Sequence, residues 1–296
     1  MFAAVFNYLY QFLDAFAFLV IAVAGLAIIF GMMGIINLAH GEFIMLGAYV
    51  FTALAKASLP LVLCVIIAAL AVGAFGFITD RLVVSRLYDR PLDSVVATWG
   101  ISLLLKQGML IILGPSFPGL TTPMGTFSIG SSTYSVYRML LAGVSVLVLI
   151  GLVFLFTKTE FGLRSRATMQ NSGIADALGV NTKKMYSLTF MIGSALAGLC
   201  GALYAPTMTI TPTMGQAFQN EAFVTVIVGG ADPLIGVPLS GAALGVVQSV
   251  LSMVFGTFFG KMGLLAVAII VIRVLPKGLS GVVEERLMTR KRGADK

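Results

Sequence analysis

Charge is scarce in this 296-residue sequence. Lys, Arg, Asp and Glu make up 10% of the chain against 58% hydrophobic residues, where a soluble globular protein carries about 25% charged residues. At a mean hydropathy of +1.02 too little polar surface remains to cover a water-soluble globule, and the same composition excludes disorder and a collagen-like fibre. Two cysteines, Cys64 and Cys200, and a single histidine, His40, exclude a disulfide scaffold and offer no zinc-ligand spacing. Both cysteines sit in apolar runs and read as small packing residues. No Lys or Arg precedes the first apolar run, so a cleaved signal peptide, which needs a basic leading segment, is not expected. There is no GxxxxGK(S/T) phosphate loop, no GxSxG elbow and no grouping of His with Asp and Ser or with Cys. The chain therefore carries no motif for hydrolysing ATP and is not expected to be an enzyme.

What fills the sequence instead is long apolar runs, which predict an all-α, polytopic integral membrane protein. Candidate spans are 13–34, 38–55, 59–78, 95–113, 136–156, 185–206, 217–230, 234–256 and 262–275. Because 217–230 and 262–275 are short, the count is eight or nine, with a discontinuous or re-entrant segment near 217–235. The pattern reads as one transmembrane domain over 1–296. The net charge of +7 points to loop bias rather than to nucleic acid, since the basic residues cluster between apolar segments. Three lie in 79–94 (Arg81, Arg86, Arg90), five in the 157–185 loop (Lys158, Arg164, Arg166, Lys183, Lys184) and six in the tail 276–296 (Lys277, Arg286, Arg290, Lys291, Arg292, Lys296), fourteen of the nineteen. The positive-inside rule then places these segments and the C-terminus in the cytoplasm and, for nine crossings, the N-terminus outside.

Three stretches differ from a passive anchor. In GMMGIINLAHGEFIMLGAYV, residues 31–50, Asn37, His40 and Glu42 interrupt an apolar run among four glycines. Polar groups at membrane depth face protein or a water-filled cavity, so they either line a translocation path or gate, or cap a helix turn; both readings can hold together. The loop 157–185 is longer than a hairpin between helices needs; its core, Ala167 to Val180, predicts a short helix ended by Gly179, with Asn181 and Thr182 as caps for the next span. It is either a docking element or a solvated basic loop. In 217–241, Glu221 and Asp232 bracket a short apolar run that meets Gly229, Gly230 and Pro233, with Asp232 read first as a turn cap. Small residues recur every four positions in 185–206 (Gly193, Ala197 and Gly201, beside Ser194, Gly198 and Ala202) and again at Gly241, Gly245 and Ser249, faces suited to close helix contact. Lys106 and Gln107 are polar at helix depth and join the path candidates; Lys106 faces a cavity, meets an acidic partner or snorkels outward.

The segment NLAHGEFIMLGAY at 37–49 resembles the signature of LivH-type permease subunits of branched-chain amino acid ABC importers. The resemblance continues in order through RLYDRPL (86–92), residues 164–203, VIVGGADPLIGVPLSGAALG (226–245) and LPKGLSG (275–281), covering nearly the whole chain. It implies an inner-membrane transport subunit working with a second, LivM-like permease, two ABC ATPase subunits that bind the ATP, and a periplasmic substrate-binding protein, with no cofactor of its own. It further implies that Gly173, Ile174, Ala175, Asp176, Ala177, Leu178, Gly179 and Val180 form the coupling helix that docks on the ATPase. Related systems carry branched-chain amino acids, urea, short amides or aromatic acids, and the matching motifs do not separate these cargoes. Two other readings of the residues are an ion-gradient-driven transporter using Glu42 and Asp232 as ion ligands and a non-transporting membrane scaffold.

Overall fold

In the computed structural model, residues 2–130, 132–283 and 285 are described; of the tail, Arg286, Arg290, Lys291, Arg292 and Lys296 lie outside the described residues. The chain is almost wholly helical. In order come α1 (Phe2–Met33), α2 (His40–Lys56), α3 (Leu61–Leu82), α4 (Pro91–Leu113), the hairpin β1 (Thr126–Ile129) and β2 (Ser132–Ser135), α5 (Val136–Lys158), α6 (Glu160–Gln170), α7 (Ser172–Ala177), α8 (Thr182–Tyr204), α9 (Gly215–Gly229), α10 (Pro233–Phe255) and α11 (Thr257–Val274). By length and composition, seven helices among the described residues are fit to cross a membrane. They coincide with seven of the nine expected spans. The other two are α2 and α9, which at 17 and 15 residues reach roughly 25 and 22 Å at 1.5 Å per residue, short of the ~30 Å hydrocarbon core.

The chain forms two compact units: one of Met1–Val23, Met124–Leu149 and Ala222–Lys296, the other of Ala24–Pro123 and Ile150–Glu221. In the first, Leu19, Val228, Leu244, Leu264 and Ala268 form a buried apolar cluster. Gly241 and Gly245 bring α10 against Phe16 of α1, and the antiparallel hairpin is fastened at its base, where Ser135 N donates to the Tyr10 hydroxyl at 3.0 Å beside the Asp14–Arg138 ion pair. The break between α9 and α10 falls at Gly230, in the left-handed region at φ +91. Asp232 restarts the chain: its Oδ1 accepts from Leu234 N at 2.8 Å and Ile235 N at 3.4 Å. That is the capping role in which the sequence pattern first casts it.

In the second unit α8 lies in the middle, packed along α2 and α3. Its small residues set the distances. A Cβ on Gly201 would collide with the Ile44 carbonyl oxygen of α2, and one on Gly198 would come within 2.7 Å of Val72 Cβ on α3. Gly193 meets the backbone of Gly25 on α1, and Ala197 is buried between. Helices whose backbones approach this closely gain dispersion contacts that do not depend on expelling water, the main source of association in lipid.

These contacts carry a prediction. Alanine is the better helix former by about 1 kcal/mol, so Gly108→Ala, at a position with open space around it, leaves the thermal midpoint in detergent unchanged or raised. Gly201→Ala lowers it by several degrees, because the added methyl forces α2 and α8 apart at roughly 1–3 kcal/mol. Equal midpoints for the two variants would contradict the packing described.

Candidate functional site

The α1–α2 break is built from the polar residues that interrupt the apolar pattern. Gly34, at φ +65, takes the chain off the α1 axis. Residues 34–39 then run without helical structure before α2 begins at His40. Asn37, His40 and Glu42 are all buried, so the backbone N–H groups entering α2 have no bulk water to bond and must find partners within the protein. Asn37 Oδ1 accepts from Ala39 N at 3.0 Å, Thr98 Oγ1 on α4 from Leu38 N at 3.1 Å, and Gln219 Oε1 on α9 from Gly41 N at 3.3 Å. Gly41 and Gly215 let the starts of α2 and α9 touch backbone to backbone. His40 lies beside Gly25 of α1.

One turn on, Glu42 is 1% exposed and its Oε1 stands 3.4 Å from Lys106 Nζ on α4, a side chain 27% exposed. Of the three settings the sequence left open for Lys106, an acidic partner is the one the structure supplies. It also reveals the rest of the seam. Ser94, Thr98 and Ser102 are the buried residues of α4, and with Lys106 they recur every fourth position, one stripe of a helix. Elsewhere the helix carries exposed apolar side chains, as at Leu92, Val96, Trp99, Leu104, Ile111 and Ile112. Gln107 is exposed and lies off the stripe, so it does not join Glu42. Within the cluster, Asn37 Nδ2 and Glu42 Oε2 are buried with no hydrogen-bond partner among the described residues. A buried polar atom left so costs about 1–3 kcal/mol, and such atoms are where a water or a polar solute group is accommodated.

The loop after α5 is more broken than the pattern suggests. One helix was expected over Ala167 to Val180; the structure has α6, then Asn171 in extended backbone at φ −160, then α7. Asn171 interrupts the run because its side chain accepts from Ile174 N at 2.9 Å, which makes it the cap of a new helix rather than a member of the old one. Thr159 caps α6 through Gly162 N and Asn181 caps α8 through Lys184 N. Gly179, at φ +87, closes α7, with its own N–H on Asp176 O at 2.9 Å and Val180 N–H on Ala175 O at 3.0 Å. Ala175 anchors α7 in the interior, while Ile174 and Leu178 are 60% and 80% exposed. Gly173, Asp176 and Ala177 are also exposed. A cleft of about 390 Å³ beside α7 is lined by Arg86, Tyr88, Gly173, Asp176, Thr182 and Tyr186 among others.

The ion pair yields a prediction. Lys106→Met, which leaves Glu42 buried and unpaired, destabilises the purified protein by roughly 3–5 kcal/mol. Glu42→Gln combined with Lys106→Met recovers most of that loss, because no buried charge remains. A double variant as unstable as the single one, read from thermal midpoints, would contradict the pairing.

Comparison with known proteins agrees with this architecture. The family model described as "Branched-chain amino acid transport system / permease component" matches residues 8–275. The chain is 28% identical over 274 residues to the high-affinity branched-chain amino acid transport system permease protein BraD of Pseudomonas aeruginosa, covering 87% of this chain and 89% of that one. It is 27% identical over 276 residues to the permease protein LivH of Salmonella typhimurium, with the same coverage. To the probable branched-chain amino acid transport permease protein LivH of Methanocaldococcus jannaschii it is 28% identical over 295 residues, covering 91% and 90%. No solved structure matches the chain. With its model matched from the first turns of α1 to the end of α11, this multi-pass helical membrane protein belongs to the family of permease components of branched-chain amino acid transport systems.

Proposed function

We propose that the chain is a transmembrane permease subunit of an ABC importer for branched-chain amino acids, in the bacterial inner membrane. The observation that carries this reading is the family match over 8–275, in which the relatives are permeases of branched-chain amino acid transport. An ion-gradient-driven transporter is not favoured by those relatives. In this reading the subunit pairs with a second, LivM-like permease and receives its cargo from a periplasmic binding protein. Two ATPase subunits bind and hydrolyse the ATP. The N-terminus is periplasmic, while the C-terminus and the α6–α7 loop are cytoplasmic.

Two features fit those roles. The exposed Ile174 and Leu178 give α7 a small apolar knob, the kind of surface that docks in a groove on a partner. Gly173 to Val180 is therefore assigned to ATPase coupling. The α1–α2 break, with Asn37, His40 and the Glu42–Lys106 pair, is assigned to the translocation path or its gate. Its unpartnered amide and carboxylate atoms supply one donor and one acceptor for water or for a zwitterionic solute, and breaking the Glu42–Lys106 contact frees opposite charges in one place. Gln107, lying off that cluster, is the weakest of the path assignments. Alternation between inward- and outward-open packings follows from closely packed helices that have two discrete arrangements rather than a continuum.

Gly179→Leu tests the coupling assignment. A Cβ-bearing residue held at φ +87 is strained by about 1–2 kcal/mol, which displaces Leu178 without touching the membrane helices. Uptake of radiolabelled leucine by cells is expected to fall at least tenfold at an unchanged level of membrane-inserted protein. Unchanged uptake would overturn the placement of the coupling element.

A further inference from the structure

A buried carboxylate that no part of the reading above uses lies where α3 ends. Asp80, 0% exposed, sits two residues before the C-terminus of α3 with both oxygens turned to one group: the Tyr88 hydroxyl, at 2.7 Å from Oδ1 and 2.8 Å from Oδ2. The same hydroxyl stands 3.4 Å from Ser187 Oγ on α8. Tyr88 belongs to the short connection between α3 and α4, and its ring packs edge-on to Tyr186 of α8, centroids 5.0 Å apart. Burial pushes the Tyr88 hydroxyl well above its ordinary range, so it stays protonated and able to donate. A buried carboxylate held by the hydroxyls of Tyr88 and Ser187 is costly in a purely structural role, because hydrophobic residues of similar volume would hold three elements together at least as firmly.

The surroundings say what the joint connects. Tyr88 and Tyr186 line the same cleft as Gly173 and Asp176 of α7. Asp176 in turn accepts from Thr182 Oγ1 at the start of α8, at 3.3 Å. Asp176 of α7 thus bonds the first residue of α8, and one turn further along that helix Tyr186 meets Tyr88, which ends on Asp80. Beyond it α3 and α8 are locked face to face, with Gly76 set against Ser194 and Gly73 against Ala195.

We propose that Asp80 and Tyr88 are positioning residues that transmit displacement of α7 to the α3–α8 pair, and so set how much transport each ATP drives. This rests on the reading of α7 as the ATPase-facing element. A contiguous network alone is only a pathway hypothesis; what gives it physical content is a change in coupling when one link is cut.

The test uses the importer complex purified from its native membrane and reconstituted in vesicles, with leucine as cargo. Tyr88→Phe removes the hydroxyl and keeps the ring against Tyr186; Asp80→Asn keeps the volume and removes the charge. The quantity read is leucine transported per ATP hydrolysed. We expect it to fall at least fivefold in either variant while ATP hydrolysis stays within about twofold of wild type, and the double variant to be no worse than the single ones, as for two residues acting as one unit. A role confined to stability lowers transport and hydrolysis together and leaves the ratio unchanged; that result overturns the proposal. If Asp80→Asn does not assemble, Tyr88→Phe decides alone. Wild-type complex that moves no leucine with ATP would refute the importer reading itself, and this proposal with it, which separates the two failures.

Discussion

A buried backbone that leaves the helical path must find its hydrogen bonds inside the protein. That constraint organises the second unit. The chain turns between Met33 and His40, and the N–H groups exposed by the turn are collected by Asn37, by Thr98 from α4 and by Gln219 from α9. Gln219 reaches because α9 comes close to α2, with Gly41 against Gly215, and α8 packs on α2 in the same way, with Gly47 against Gly198 and Gly201 against Ile44. The capped break and the small-residue contacts are two sides of one solution. Remove Gly41 or Gly215 and Gln219 no longer reaches; remove the caps and the break is unsatisfied.

The same economy explains α4. A helix with an apolar outer face gains little from hydrophobic association when its surroundings are themselves apolar. What attaches it are three side chains of its buried stripe: Thr98, bonded by Leu38 N, and Ser102 and Lys106, which meet buried Glu42. On α7, Ala175 is buried and the Gly179 turn closes the helix, while Ile174 and Leu178 are exposed.

Much of this was legible in the residues. Asn37, His40 and Glu42 stand out because polar groups are rare in apolar runs, and the four-residue spacing from Gly193 to Gly201 announces a contact face before its partner is known. The partners were not legible. Thr98 and Gln219 lie 60 and 178 residues from the backbone groups they bond, and a lone Thr or Ser in a membrane helix is ordinary. The stripe on α4 was there as a period of four, but Lys106 and Gln107 drew attention as a pair, and adjacent residues point about 100° apart on a helix. Asp80 beside Arg81 passes for the polar flank of a span, because only the fold places Tyr88 over it. Asn171 was hidden for the opposite reason: a residue that caps looks, in sequence, like one more polar helix position.

The claim on which the account turns is that this chain is one part of an ATP-driven assembly. Native mass spectrometry of the tagged protein, extracted from its own membrane in several mild detergents, measures that directly. The account predicts a complex of this chain with a second permease and two ATPase subunits. A chain that emerges alone in every detergent would contradict it.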